Sequence, residues 1–306
     1  MIHTITLNPA IDEIVYLEEN LTAEKNNKIK LKKRDLGGKS THVSAVLTQL
    51  NIDNIATGFL GEQNKTELTI ELDRYNIKHQ FMELENQKTR KSTVIINKNG
   101  ETYMLTEQGL SISENSKRNL HHYINTSVNE GDIVVIGGTP PQKFSTEDFK
   151  ELIKILKNKH TFIACDVAKE YLKVAIEEEV HFVKPNEHEI EYLYPMEKTK
   201  IKKLHRIYKK VPYAICSLGA EGVLYKSKNI FYRMVPPSVR VRSDTGAGDA
   251  FVGGFIYGIY SNLSFFECIE WGILCSVSKV KQSSSCSINT RDFESIKKNI
   301  KNYEVI

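Results

Sequence analysis

No run of apolar residues in this chain approaches the length of a membrane span, and the opening MIHTITLNP carries no signal-peptide pattern, so a cytoplasmic location is expected. Cysteine is scarce and shows no pairing pattern. Cys165, Cys216, Cys268, Cys275 and Cys286 are odd in number, scattered, and form no C-x-x-C pair. That excludes a disulfide framework or a zinc site and reads as reduced thiols in or near a core. A strong charge of one sign is missing too. Against 42 Lys+Arg stand 38 Asp+Glu, for a formal net charge of +4. The small excess suits an anionic small molecule but is no nucleic-acid footprint, and no nucleic-acid-reading motif occurs. Lysine-rich stretches such as KTKIKKLHR, 198–206, read as solvated helix faces. Internal repeats and low-complexity segments are absent.

What is present is an alternation. Short apolar runs (HTITLN, IATGFLG, DIVVIGG, TFIACD, VHFVKPN, YAICSLG, VLYKS) are interleaved with helical patterns, among them 41–50, with Val43, Val46, Leu47 and Leu50 in register. STEDFKELIKILKNK begins with a good N-terminal cap at Ser145 and acids in the first turn. Strands alternating with helices predict an α/β fold, a mostly parallel sheet covered on both faces. With 306 residues the chain accommodates one large domain and an appendage. Two stretches break the alternation: EIVYLEE with KIKLKKRD, and RKSTVIINKNGETYMLTEQG, where Lys98-Asn99-Gly100-Glu101 predicts a hairpin turn centred on Asn-Gly. Their polar–apolar pattern predicts a small, more exposed second sheet.

DLGGKSTHVSA, 35–45, contains the tail of a phosphate loop, G-K-S. The spacing rejects that reading. A Walker loop needs a glycine five residues before Gly38, where Lys33 stands, and a buried strand before the loop, where KIKLKKRD is half exposed. The stronger phosphate signal is SDTGAGDAFVGGF, 243–255. Gly246, Ala247 and Gly248 let successive amides turn toward one anion, and the apolar pattern that follows predicts a helix start, which favours negative charge. Asp249 at that junction reads either as a helix cap or as a general base beside an anion hole.

D-T-G-A-G-D-A-F with G-G-F resembles the C-terminal signature of the PfkB (ribokinase-like) carbohydrate kinase family. TLNPAID, GGKSTHVSAVLTQL, KTRKSTVI, KPNEHEI and CSLGAEGVLY resemble its other motifs, in family order over essentially the whole chain. TLNPAID is similar in particular to the 1-phosphofructokinase and tagatose-6-phosphate kinase branch. The resemblance implies a three-layer α/β/α core (1–10, 37–87 and 109–306) with a β-sheet lid (11–36 and 88–108) that often contributes to a homodimer. It implies ATP-dependent phosphorylation of a ketohexose phosphate with Mg2+, fructose 1-phosphate ahead of tagatose 6-phosphate. Asp249 is then the base, and Gly246, Ala247 and Gly248 the anion hole. Asp12, Gly37, Gly38, Lys39, His42 and Arg90 face the sugar phosphate, with Lys28 and Lys25 adding charge from the lid. Lys184, Asn186, Ser217, Gly219 and Gly222 border the ATP, while Glu189 and Asp166 hold Mg2+ through water. A capping role for Glu189 is the alternative from its place at a helix start.

Several positions depart from the family pattern. Ser40 replaces a glycine, His42 and Ser92 replace asparagines, and Asp166-Val167-Ala168-Lys169 stands for D-x-S-G. Ser243-Asp244 alters the residues before the anion hole, on which a monovalent-cation site would depend. The catalytic end is kept and the sugar end has drifted. That leaves two other readings: a kinase for another sugar or nucleoside, or a catalytically weak sugar-phosphate sensor, against which the retained Asp249 argues.

Overall fold

The computed structural model describes residues 1–305. The buried run β1 (Ile2–Thr6) comes first, and the chain then leaves for a hairpin, β2 (Ala10–Leu17) and β3 (Ile29–Gly37). It returns through α1 (Lys39–Gln49), β4 (Asn54–Gly61), α2 (Lys65–Arg74) and β5 (Lys78–Leu84), and leaves again for β6 (Arg90–Ile96) and β7 (Thr102–Thr106). Regular alternation follows: α3 (Glu114–Ser127), β8 (Ile133–Gly137), α4 (Thr146–Asn158), β9 (Phe162–Asp166), α5 (Lys169–Glu177) and β10 (Phe182–Val183). Then come α6 (Glu187–Leu193), α7 (Lys200–Tyr208), β11 (Tyr213–Ser217), β12 (Val223–Ser227) and β13 (Ile230–Val235). The chain closes with α8 (Ala247–Tyr260), α9 (Phe265–Val280), α10 (Phe293–Lys297) and β14 (Lys301–Val305).

The main sheet has the order β14-β13-β12-β11-β10-β9-β8-β1-β4-β5. Its run from β11 to β5 is parallel, and β12, β13 and β14 add an antiparallel edge. The period of two in β8 explains the layers: Val134 and Ile136 join one core with α3 to α7, while Ile133 and Val135 join the other with α1, α8 and α9. This is the expected α/β/α arrangement. The five cysteines are buried and unpaired.

The second sheet has the order β3-β2-β6-β7. One of its faces buries Ile11 and Leu36 against Leu68 and Leu72 of α2. The hairpin between β6 and β7 differs in detail from the expected turn. Gly100 N–H donates to Asn97 O at 3.0 Å, so Lys98 and Asn99 are the central pair and Gly100, at φ +83°, follows the turn. A left-handed glycine after such a turn continues the strand as a bulge.

Helix starts divide into two kinds. In α4, α6 and α9 the N-cap side chains of Ser145, Asn186 and Ser264 form capping boxes with Asp148, Glu189 and Glu267. By contrast α1 and α8 begin at Gly38 and Gly246, both at positive φ and without a side-chain cap. Their first amides are left for something else to satisfy.

Candidate active site

Parallel strands end together at the carboxyl edge of the main sheet, where open α/β sheets bind ligands. Asp166 ends β9, Lys184 follows β10, Ser217 ends β11, and the N-termini of α1 and α8 meet them. The lid sheet adds Asp12, Asp35 and Arg90 from the other side.

A Cβ at Gly246 would collide with the carbonyl of Ser285, so the left-handed turn into α8 requires glycine. Ala247 N–H donates to Asp244 O at 3.0 Å, which takes it out of the expected anion hole. Gly246 and Gly248 keep their amides without a protein partner among the described residues. Asp249 sits in the first turn of α8, buried, with its Oδ2 2.7 Å from His42 Nδ1. His42 Nε2 lies 2.7 Å from Leu36 O and must donate there, since a carbonyl only accepts. One proton is therefore shared between Nδ1 and the Asp249 carboxylate. Burial alone would push the His42 imidazolium down, but the hydrogen bond and charge of Asp249, then Asp12, raise it to about 9. His42 thus meets the base as well as the sugar side, where Asp12 Oδ2 is 3.9 Å from Nε2.

Lys39 departs from its expected place beside the sugar phosphate. Its Nζ is 3.3 Å from Asp166 Oδ2, and Lys184 Nζ is 3.7 Å from Oδ1 of the same carboxylate. The charge of Asp166 raises the Lys39 pKa against burial, with Asp249 and Glu189 adding to it. Lys184 Nζ also lies 3.4 Å from where a Cβ on Gly248 would stand. Lys184 therefore stands beside the α8 amides, with Lys39 on the same Asp166 carboxylate. The GGKS lysine thus pairs with a carboxylate at the end of β9 rather than with the second sheet.

The metal candidates change accordingly. Burial pushes the Asp166 carboxyl up, but Lys184 and Lys39 outweigh it and hold the group ionised, so its charge is already spoken for. Glu189 Oε2 accepts from Asn186 N–H at 2.9 Å, and Asn186 Oδ1 accepts from Glu189 N–H at 2.9 Å. Both side chains close the capping box of α6, which occupies Asn186 Oδ1 and leaves only its Nδ2 to donate to a ligand. No cluster of three metal-ligating side chains exists among the described residues. The free carboxylate oxygen of Glu189 fits a magnesium ion held through water, which needs no protein cage; Asp166 does not fit. Beyond α6, Ser217 N–H donates to Pro185 O at 2.9 Å. Gly219 and Gly222 bound the short turn after β11 at positive φ, where a Cβ on Gly222 would strike Met234 O.

Register in the second sheet aligns the residues expected to face the sugar. Asp35, Asp12, Ser92 and Thr106 lie side by side across β3, β2, β6 and β7, with Gly37, Ala10 and Arg90 in the next row on the same face. A Cβ on Gly37 would collide with Asp12 Oδ1 and Ala10 O, and Gly38 takes φ +100° to turn into α1. Burial raises the Asp12 carboxyl to about 6, a rise that His42 opposes and Asp35 reinforces. Arg90 donates through Nη2 to Asn8 O at 3.2 Å, while its buried Nε has no partner. That leaves a fork short of an acceptor, as a phosphate site requires. Lys28 does not join this row. It stands before Ile29, which pairs with Leu17 at the far end of the hairpin, and exposed Lys25 lies in the connection between β2 and β3.

Three residues of the site carried no motif. Asp35 accepts from Ser285 N–H at 2.7 Å and Tyr75 OH at 2.9 Å, tying the lid to the loop before α10. Ser285 packs on Gly246. Lys279, on α9, donates to Ser243 O at 2.9 Å just before the anion-hole turn. An isolated apolar helix pattern containing one lysine was the available signal for the last.

The family model for pfkB family carbohydrate kinases matches residues 5–291. A tagatose-6-phosphate kinase of Staphylococcus epidermidis is 26% identical over 313 aligned positions, covering 100% of both chains. A 1-phosphofructokinase of Bacillus subtilis is 29% identical over 280, covering 89% of this chain and 90% of the relative. Among solved structures, phosphofructokinase-2 of Escherichia coli in complex with potassium superposes with a TM-score of 0.90 at 24% identity, over 97% of this chain and 98% of that one. A match of that extent, on a chain with this sheet order, lid and uncapped α8, is decisive: the protein belongs to the pfkB family of carbohydrate kinases.

Proposed function

We propose that this kinase transfers the γ-phosphoryl group of ATP to a hydroxyl of a ketohexose phosphate, fructose 1-phosphate before tagatose 6-phosphate. The observation that carries the reading is a buried carboxylate, Asp249, in the first turn of a helix whose amide end has no side-chain cap. The sugar hydroxyl gives its proton to Asp249 as its oxygen bonds the γ-phosphorus, and the bond to the ADP oxygen breaks. The amides of Gly246 and Gly248, with Lys184 and Lys39 beside them, neutralise charge on the transferring group. Glu189 would hold Mg2+ through one of its waters, and the ion would supply charge neutralisation for the ATP phosphates. Asp12 orients the sugar, and Arg90 takes the phosphate it already carries.

Names among the relatives support both ketohexose phosphates, and the altered loop at Ser40, His42 and Ser92 bears on the choice. The lid face beyond the polar row supports a homodimer: Ile14, Val94 and exposed Met104 follow Asp12, and Tyr16 and exposed Leu31 follow them. The Escherichia coli neighbour was solved with potassium, whereas here the turn before the anion hole bonds a lysine ammonium.

A coupled assay of ADP release across a panel of phosphorylated and free sugars tests the reading. Turnover should rise with fructose 1-phosphate or tagatose 6-phosphate. No stimulation by any sugar would sink it, and preference for unphosphorylated sugars would remove Arg90 from its role.

A further inference from the structure

Lys279 has no solvent exposure, unlike the partly open Lys184, and its ammonium makes no ion pair among the described residues. An isolated buried charge is costly, so its position needs a reason. Nζ donates to Ser243 O at 2.9 Å. The next residue on α9, Val280, accepts through its carbonyl from Arg242 N–H at 2.8 Å, holding the same strand of chain from the other side. Three residues beyond Ser243 the turn reaches Gly246, on which the Ser285 carbonyl is seated, while Ser285 N–H is bound to Asp35. The ammonium thus lies between the turn that forms the anion hole and the loop that anchors it to the lid.

We propose that Lys279 is a built-in cation of the anion-hole turn, a positioning residue that takes the place of a dissociable monovalent ion. An ammonium and an alkali cation make the same demand on this place, which is a carbonyl oxygen, here that of Ser243, and nearby negative charge. Asp244, Asp35 and Asp249 supply the charge. Burial pulls the Lys279 pKa down to about 8, opposed by those carboxylates, so the group remains mostly charged at neutral pH. A tethered ammonium cannot be diluted away, and it fills the volume an ion would need. The altered Ser243-Asp244 pair and the buried lysine therefore belong together: the residues present do not fit a bound monovalent cation.

The inference rests on the kinase reading, and the experiment separates the two. Wild-type enzyme and Lys279→Ala are assayed with ATP, Mg2+ and the preferred phosphosugar in sodium, potassium, methylammonium or tetramethylammonium chloride at constant ionic strength. Wild-type kcat should be the same in all four. Lys279→Ala should lose about 10²-fold in kcat, as expected when a reacting group is held out of place. Potassium or methylammonium, but not tetramethylammonium, should restore much of it. Lys279→Met, which keeps the packing without the charge, should stay folded by melting temperature and show the same loss. Potassium activation of the wild type, full activity in Lys279→Met, or an inactive Lys279→Ala that no cation rescues would each overturn the proposal. If the wild type phosphorylates nothing, the kinase reading fails, and the cation role is read from heat denaturation instead. Potassium should then raise the melting temperature of Lys279→Ala relative to sodium and leave the wild type unchanged; equal responses would overturn it.

Discussion

The proposed nucleotide end and the proposed sugar end of the site are built from different kinds of structure. At the nucleotide end, Asp166, Lys184 and Ser217 project from the edges of buried parallel strands, and the amides come from the start of α8, a helix packed against two others. At the proposed sugar end, Asp12 and Arg90 ride on a separate four-stranded sheet whose edge strand β7 is exposed throughout. Rigid elements preserve geometry through many substitutions, whereas a half-exposed sheet tolerates change in the side chains it presents. That difference does not by itself set where the family motifs have drifted, since Ser92 lies on the lid sheet but Ser40 and His42 lie on the buried α1. It does state where each variant should act: on kcat at one end, on sugar affinity and assembly at the other.

The largest effect is expected at Asp249. Asp249→Asn removes the proton acceptor and leaves the amides, Lys184 and Lys39 in place, so kcat should fall by roughly 10²–10⁴-fold. ATP affinity, measured by isothermal titration, should change little. If the two fall together, the ends are not separable and Asp249 is a binding residue. Next comes Arg90, whose unpartnered Nε awaits an acceptor. Arg90→Ala should raise KM for the phosphosugar by an amount worth about 2–3 kcal/mol, with kcat less affected. Turnover of an unphosphorylated sugar should not change, and a parallel loss there would deny Arg90 its phosphate.

Assembly is tested on the same sheet. Leu31→Glu with Met104→Glu places charge on the exposed lid face while leaving the buried Ile11 and Leu36 face intact. Light scattering should then report a monomer where the proposed dimer is expected of the wild type. An unchanged dimer would put the interface elsewhere.

Much of this was legible in the sequence for a definite reason. The alternation of β8 and the glycines of the α8 turn are local patterns, read within a few residues. What was not legible depends on long-range contacts. Lys39 follows two glycines that admit a sugar, yet its side chain reaches Asp166 on β9, and only the packing of α1 across the sheet edge decides that. Glu189 read equally well as a metal ligand or a cap, and the capping box now occupies one of its oxygens. His42 looked like a bulky stand-in for a sugar-contacting asparagine, but its partner is 207 positions away. Such pairings leave no trace in spacing.

The last expected effect, one of pH, comes from that pair, and it bridges the two ends. Folding raises the His42 imidazolium from 6.5 to about 9, with Asp249 and Asp12 outweighing burial. A raised folded pKa makes a stabilising contribution that is fully present below pH 6.5 and lost as pH rises through 9. The difference is about 3 kcal/mol, so the wild-type melting temperature should fall by roughly 5–9 °C over that window. Above it, Nε2 still donates to Leu36 O, and the bare Nδ1 lone pair then faces the Asp249 carboxylate with no proton between them. His42→Asn, which does not titrate there, should flatten the melting profile between pH 6.5 and 9 and retain more of its kcat at the alkaline end. A profile that stays steep in His42→Asn would assign the alkaline loss to another group and leave His42 as packing alone.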